Sequence, residues 1–350
     1  MTPALPRIRH RGSRPGHVEL WSGKPPRFPP QELLARDVVR LAFYLPYDHL
    51  DIASGVRRAV ESYVRAVGQG PSTINHAYIN DDEGGPLSEE RWDSIHYLLR
   101  PERPFRFIEE LSEPTVHRLV KRGHLAQLIF DGGFGSTNGY QLWYRARLPS
   151  RTPPPNLVST LTATLPTEYL QTHGPTKVRE LALEMASQLR FATGHVGLAL
   201  QLYWPLRSRD EAFRAELLRY PGIDLRPAWL FEHRMGTRVD GIHWLNFLGQ
   251  PVLGQPGGAE ALRARLHSPG TTVHPLDEER VVIALGEHPE AGDLSTGQTL
   301  PAYRELAQVL EPWLEPLDLS DTTTLDQPPT YSSLRLTQDE AKRWWRRFLD

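Results

Sequence analysis

LVSTLTATLP (Leu157 to Pro166) is followed by GPTKVRELALEMASQLRFATG (Gly174 to Gly194) and HVGLALQLYW (His195 to Trp204). The first and last of these stretches are short, rich in β-branched and aliphatic residues, and of strand length. In the middle stretch Val178, Leu181, Ala182, Met185 and Leu189 fall on one face at helical spacing, which predicts an amphipathic helix. After an insertion from Arg207 to Gly236 the same grammar returns: strand GIHWLNFLG from Gly241, helix GGAEALRARLH from Gly257, strand VVIAL from Val281. The order β-α-β, insertion, β-α-β is that of a split βαβ, ferredoxin-like sandwich.

Working outward, the first half begins in the same order. VVRLAFYLP (Val38 to Pro46) reads as a strand, and DIASGVRRAVESYVRAVG as a helix through Ile52, Val56, Val60, Tyr63, Val64 and Val67 that stops at Gly68. INHAYIN (Ile74 to Asn80) then reads as a returning strand. Helices are expected from Ser88 and Ser112, each capped by its serine, with strand PFRFIE between them. HLAQLIFDGGFGSTNGYQLWYRARL reads as a hairpin. The fold class expected is α+β, built as two sheet-and-helix halves. The second half is ferredoxin-like with an insertion, and the repeated grammar suits a diverged duplication.

The domain reading assigns 1–35 to a flexible Pro- and Arg-rich arm, 36–150 to the first half, 156–315 to the second, and 316–350 to a tail with a C-terminal helix. SRTPPP (Ser150 to Pro155) marks the boundary. Leu317 to Tyr331 reads as a loop, and Thr337 with Glu340 has capping-box spacing ahead of the last helix.

The 350 residues carry 40 basic and 42 acidic side chains, a formal charge of -2, so no global field holds the chain on nucleic acid or an anionic membrane. The absence of cysteine excludes disulfides, thiolate nucleophiles and the common structural zinc sites. No stretch approaches the roughly 20 apolar residues of a membrane span, and the N-terminus has no apolar signal core. The expectation is a soluble cytoplasmic protein.

Motifs for chemistry are incomplete. GGFGSTNG (Gly132 to Gly139) lacks both the spacing and the following helix of a phosphate loop, and DLSTG (Asp293 to Gly297) has Asp where a nucleophile elbow needs Gly. His288, Glu290 and Asp293 offer donors for a divalent metal, the basis of a metal-dependent hydrolase reading of the 286–297 loop. Pro289, Gly292 and Gly297 explain the same loop as a rigid turn, and this structural reading leads. KRWWRRF (Lys342 to Phe348) interleaves cations with aromatics, as single-strand binders do. On a helix, though, Trp344, Trp345 and Phe348 can pack inward while Lys342, Arg343, Arg346 and Arg347 stay in solvent. Contacts for a protein partner are expected at the acidic run Asp81, Asp82 and Glu83, and at Trp229, Phe231 and an exposed Glu232, Arg234 pair in the insertion.

The second half resembles a known family. GPTKVRELALEMASQLRFATGHVGLAL, YPGIDL, GIHWLNFLGQPVL, the Gly257-Gly258 pair and VVIALGEHPEAGDLSTGQTLPAYRELAQVLEP are similar, in that order, to the TsiV-type immunity proteins of type VI secretion. The resemblance spans about Val38 to Pro316. Its most specific parts are the Trp244 strand, Gly292-Asp293, Gly297 and the Pro301, Tyr303 helix start; the arm and the Trp-rich tail fall outside it. It implies a cytoplasmic protein, without enzyme activity, metal or other cofactor, that binds a cognate effector encoded nearby, a nuclease in characterised members, and blocks its active site.

Overall fold

The computed structural model describes residues 5–12, 32–80, 82–100, 125–133, 137–147, 156–202, 211–226, 232–317 and 336–350. The helix expected from Ser112, the strand PFRFIE, the Pro-rich boundary, most of the expected arm and nearly all of the Leu317–Tyr331 loop lie outside the described residues.

Among the described residues twelve strands form one sheet: β1 (Arg9–Gly12), β2 (Glu32–Leu45), β3 (His76–Ile79), β4 (Gly85–Pro86), β5 (Leu125–Asp131), β6 (Gln141–Arg147), β7 (Ser159–Pro166), β8 (Thr193–Leu202), β9 (Ile223–Asp224), β10 (Leu245–Gly249), β11 (Thr271–Pro275) and β12 (Arg280–Leu285). The path runs β11-β12-β10-β8-β2-β7-β6-β5-β3-β4, with β1 on β2 and β9 on β8. All neighbours are antiparallel except β8 and β9. The α+β class expected from the sequence is the class observed.

The helices are α1 (His49–Val67), α2 (Glu89–Leu98), α3 (Thr167–Gln188), α4 (Glu211–Leu218), α5 (Gly258–Arg265), α6 (Pro301–Leu310) and α7 (Gln338–Trp345). Helix α3 starts seven residues earlier than the sequence reading places it. Its first turns break at Gly174, whose φ of 78° no other residue adopts cheaply, and Pro175 then restarts the helix. Helix α7 opens on the expected capping box: Glu340 N donates to Thr337 Oγ1 at 3.2 Å and Thr337 N to Glu340 Oε2 at 2.7 Å.

β7-α3-β8 is the expected split βαβ unit, but the strand that fills the split is β2 from the first half, paired to β7 on one side and β8 on the other. The two halves therefore share one sheet. β2 is also longer than expected, because Arg36 and Asp37 are buried with partners: Arg36 pairs with Glu168, and Asp37 with Arg9 and Thr167. The expectation of a loosely attached arm is corrected at residues 5–12. There Ile8 is fully buried and β1 pairs with β2 from Arg9↔Arg36 to Gly12↔Glu32.

The strand period of two sorts β2 into different faces. Val39, Leu41, Phe43 and Leu45 join the main core beneath α1 and α3, where Val56, Val60, Tyr63, Val178, Leu181 and Met185 meet them. Fully burying a side chain of this size contributes about 1.5–3 kcal/mol, so this layer supplies most of the driving force for folding. On the opposite face Arg40 and Tyr44 stand beside His195 of β8, since the register sets Ala42 against His195 and Arg40 against Gly197. Farther along that face, under β10 and β12, a second apolar layer of Leu248, Val281, Ile283, Tyr303, Leu306 and Phe348 takes over.

Candidate functional site

Between these apolar regions lies a buried polar cluster drawn from five parts of the chain. Asp224 comes from β9, which pairs with β8 beyond the end of β10. Asp240 and His243 lie in the segment leading into β10, and Glu315 follows α6. The C-terminal helix covers the group with Trp344, 5% exposed.

Asp240 is its centre. Tyr44 Oη donates to Asp240 Oδ2 at 2.6 Å, His195 Nδ1 donates to Oδ1 at 3.0 Å, and His243 Nε2 lies 3.5 Å from Oδ1. Burial alone would raise the pKa of Asp240; the two imidazoles outweigh it and hold the carboxyl well below its ordinary range. Burial, then the neighbouring His195, lowers His243 to about 4, so its ring is neutral at pH 7. The two rings stack with centroids 3.7 Å apart and planes 11° from parallel. Burial, followed by the Asp240 charge, pushes the Tyr44 hydroxyl well up, fixing it as a donor.

Arginines close the rest. Arg40 donates to Asp224 Oδ2 at 3.0 Å, to the Arg226 carbonyl at 2.6 Å and to the Leu200 carbonyl at 3.2 Å. Arg226 donates to Glu315 Oε2 at 3.1 Å and to the Asp240 carbonyl. Arg234 pairs with Glu315 Oε1 at 2.9 Å. Breaking one such buried pair costs about 3–5 kcal/mol, so the cluster ties β2, the insertion and the C-terminal segments into one unit.

Among the described residues, the imidazoles and carboxylates near enough to share a metal ion are His195, Asp224, Asp240 and His243, whose ligand atoms lie within 4.8 Å of one another. Their distances permit an ion, but their charges oppose one. Both Arg40 and Arg226 sit against Asp224, and Asp240 is engaged by Tyr44 and His195, so a dication would enter a site already supplied with positive charge. The metal alternative weighed beside the rigid-turn reading placed ligands at His288, Glu290 and Asp293, and these do not converge. Instead Asp293 accepts from Ser295 N at 2.9 Å, capping a short 3-10 turn, and forms a two-pronged pair with Arg219. That pair holds its carboxyl well below the ordinary range.

The same loop is fastened at several points. Gly222 N donates to the Ala291 carbonyl at 2.7 Å, and Glu290 N to the Tyr303 hydroxyl at 3.4 Å. Gly292 and Gly297 adopt φ of 65° and 72°, and Pro301 starts α6. Trp244, fully buried, donates Nε1 to the Gly286 carbonyl at 3.1 Å and so pins the loop's first residue.

Of the expected partner contacts, Asp81, Trp229 and Phe231 lie outside the described residues. Asp82 is exposed and shapes its own turn, accepting from Ile79 N at 2.9 Å and Gly84 N at 3.0 Å, and it pairs with Arg91; Glu83 is exposed. The expected exposed Glu232, Arg234 pair is corrected. Glu232 is 5% exposed and pairs with Arg145 at 2.8 Å, whereas Arg234 turns to Glu315, so burial separates two residues that looked like one patch. In the tail, Lys342, Arg343 and Arg346 are exposed, but Arg347 turns inward over the Trp344 ring at 3.7 Å. The basic stripe that a single strand would follow is thereby interrupted.

The family described as TsiV, type VI immunity for VRR-NUC, matches residues 134–348. The match takes in the Trp-rich C-terminal helix, which the sequence resemblance had left outside. Among solved structures, the chain is similar to a Pseudomonas aeruginosa T6SS protein, PA0821, at 18% identity and a TM-score of 0.65, covering 91% of this chain and 85% of that one. At that identity the likeness is one of fold. No curated protein matches the chain by sequence.

Proposed function

We propose, from the premise that this chain belongs to the TsiV family of type VI immunity for VRR-NUC, that it binds a VRR-NUC nuclease toxin and occludes the surface on which that toxin holds nucleic acid. The observation that carries this reading is the family match, which spans the second half of the fold and the C-terminal helix. Neutralisation by binding asks for no catalytic group, and the buried cluster, locked by its own ion pairs, serves to hold the binding scaffold rigid.

A nuclease must present positive charge to phosphates. An acidic surface of the inhibitor complements such a face, and Asp82 and Glu83 adjoin Glu89, Glu90 and Asp93, all exposed, around the start of α2. The described part of the chain has no helix long and apolar enough to cross a membrane. The toxin would be met in the cytoplasm, where its substrate lies, and its gene is expected beside this one.

The test is co-expression. Cells carrying the neighbouring VRR-NUC toxin should grow only when this chain is present, and Glu83→Lys combined with Glu89→Lys and Glu90→Lys should abolish rescue while leaving the protein folded. Unrestored growth with the unaltered chain, at confirmed expression of both proteins, would dismiss the reading. Full rescue by the triple variant would move the contact elsewhere on the surface.

A further inference from the structure

One edge of β2 changes partner along its length. From Val38 to Leu45 that edge pairs with β7, and from Glu32 to Arg36 with β1, while β8 takes the other edge from Ala35 to Tyr44. β1 therefore fills the place that β7 vacates where the chain turns into α3 at Thr167. Nineteen residues, 13–31, separate β1 from β2, and five of them are prolines. An antiparallel neighbour needs a turn of only about two residues, so a connection of that length does not itself set the pairing. The contacts of the segment set it.

Those contacts read a pattern of residues. Ile8 is fully buried in the main core. Its backbone exchanges two bonds with Asp37: Ile8 N donates to Asp37 Oδ1 at 2.9 Å, and Asp37 N donates to the Ile8 carbonyl at 3.2 Å. Arg9 pairs with the same carboxylate and, at 2.8 Å, with Glu168. Arg7 reaches Glu168 at 2.9 Å and Gln171 at 2.5 Å. Asp37 is 1% exposed, and of its three donors among the described residues, Ile8 N, Arg9 and the Thr167 hydroxyl, two belong to the segment. A buried carboxylate is costly to leave short of donors, so the place beside β2 is built to be filled. It receives main chain along its edge, an aliphatic side chain in the core and a guanidinium on either side of that side chain.

We propose that residues 32–37 of β2, with Thr167, Glu168 and Gln171 of α3, form a peptide-binding site for an extended Arg-aliphatic-Arg segment, which Arg7, Ile8 and Arg9 of this chain occupy as a tethered, exchangeable ligand. The segment is held by strand addition and by two carboxylates, and it leaves and returns without unfolding the sheet behind it. The site is independent of toxin neutralisation and is tested without the toxin.

The full-length chain carrying Arg7→Glu and Arg9→Glu sets like charges against Asp37 and Glu168, which releases the segment and leaves the site itself unaltered. A fluorescently labelled peptide of residues 5–12, LPRIRHRG, should then bind this variant saturably, one peptide per chain, as read by anisotropy in low salt. The same peptide with Arg7→Gln and Arg9→Gln should bind at least about tenfold more weakly, and so should the parent peptide to the unaltered chain, whose tethered segment holds the site. Should the variant fail to fold, hydrogen exchange of the unaltered chain decides. Residues 5–12 should exchange at least about tenfold faster than residues 38–45 of β2, and faster still in about 1 M NaCl, which screens the arginine pairs while exchange at 38–45 stays as it was. Absence of saturable binding to the folded variant, equal binding to the unaltered chain, or exchange of 5–12 in step with 38–45 overturns the proposal.

Discussion

Glu232→Gln should make the protein more stable at pH 8 than the unaltered chain and leave the two alike at pH 4. Glu232 is 5% exposed, its Oε1 pairs with Arg145 at 2.8 Å, and its Oε2 is buried without a hydrogen-bond partner. Burial raises its pKa to about 7 against a model-compound value of 4.5, and Arg145 offsets only part of that rise. The folded state therefore holds the proton more tightly than the unfolded chain does. The stabilising contribution is complete below the unfolded pKa and is lost as pH rises through about 7. At about 1.4 kcal/mol for each tenfold change in proton affinity, the interval from 4.5 to about 7 sets an upper limit of about 3 kcal/mol by pH 8. Glutamine keeps the shape and cannot ionise, and Arg145, whose side chain is 25% exposed, stays solvated. Urea unfolding at pH 4, 5, 6, 7 and 8 for both proteins reads the difference, in which every other titrating group cancels. Parallel curves would refute the reasoning. So would a variant that is less stable at pH 8, for then the ionised pair with Arg145 contributes more than its burial costs.

Trp244→Ala should cost about 3–5 kcal/mol in urea unfolding, since it removes a fully buried indole together with its bond to Gly286, whereas Leu294→Ala, at a side chain 57% exposed, should change stability by no more than about 0.5 kcal/mol. Asp293→Ala should lower the melting temperature at pH 7 and leave toxin affinity unchanged. Because Arg219 depresses the folded-state pKa of Asp293, its contribution is present above the ordinary carboxylate range and is lost as pH falls below it, so the gap between variant and parent should close in acid; an unchanged melting temperature with lost binding would make the loop a contact.

The elements that the sequence predicts are those with strong period: α1 and α3 through their apolar faces, the β5-β6 hairpin and the Pro301 helix start. It misses those whose polarity is satisfied from a distance. The start of β2 carries Arg36 and Asp37, which stay outside the strand read from Val38 until Glu168 and Arg9 supply their partners from elsewhere in the chain. β11 is short, largely exposed and ends in Pro275, so nothing in TTVHP separates an edge strand from a loop. The split βαβ unit is visible as grammar, but which strand fills it depends on pairing between residues more than a hundred positions apart.

The buried cluster was illegible for a related reason. Arg40, His195, Asp224, Glu315 and the neighbouring Asp240 and His243 come from five separate segments, so no motif spacing joins them. The one available signal was a polar residue inside an apolar strand, Arg40 in VVRLAFYL and His195 before VGLAL, where a buried charge demands a partner. Glu232 and Arg234 show the converse. Their proximity in sequence suggested one exposed pair, and each proved to be committed to a different buried ion pair.

The most direct test of toxin neutralisation is a titration of the purified VRR-NUC toxin with this chain, reading complex formation by calorimetry and nuclease activity on the same samples. The account predicts saturable binding, on the order of nanomolar or tighter because each uninhibited toxin molecule turns over many times, with nuclease activity falling to background at equivalence. No heat of binding, and undiminished nuclease activity at about a tenfold excess of this chain, would contradict it.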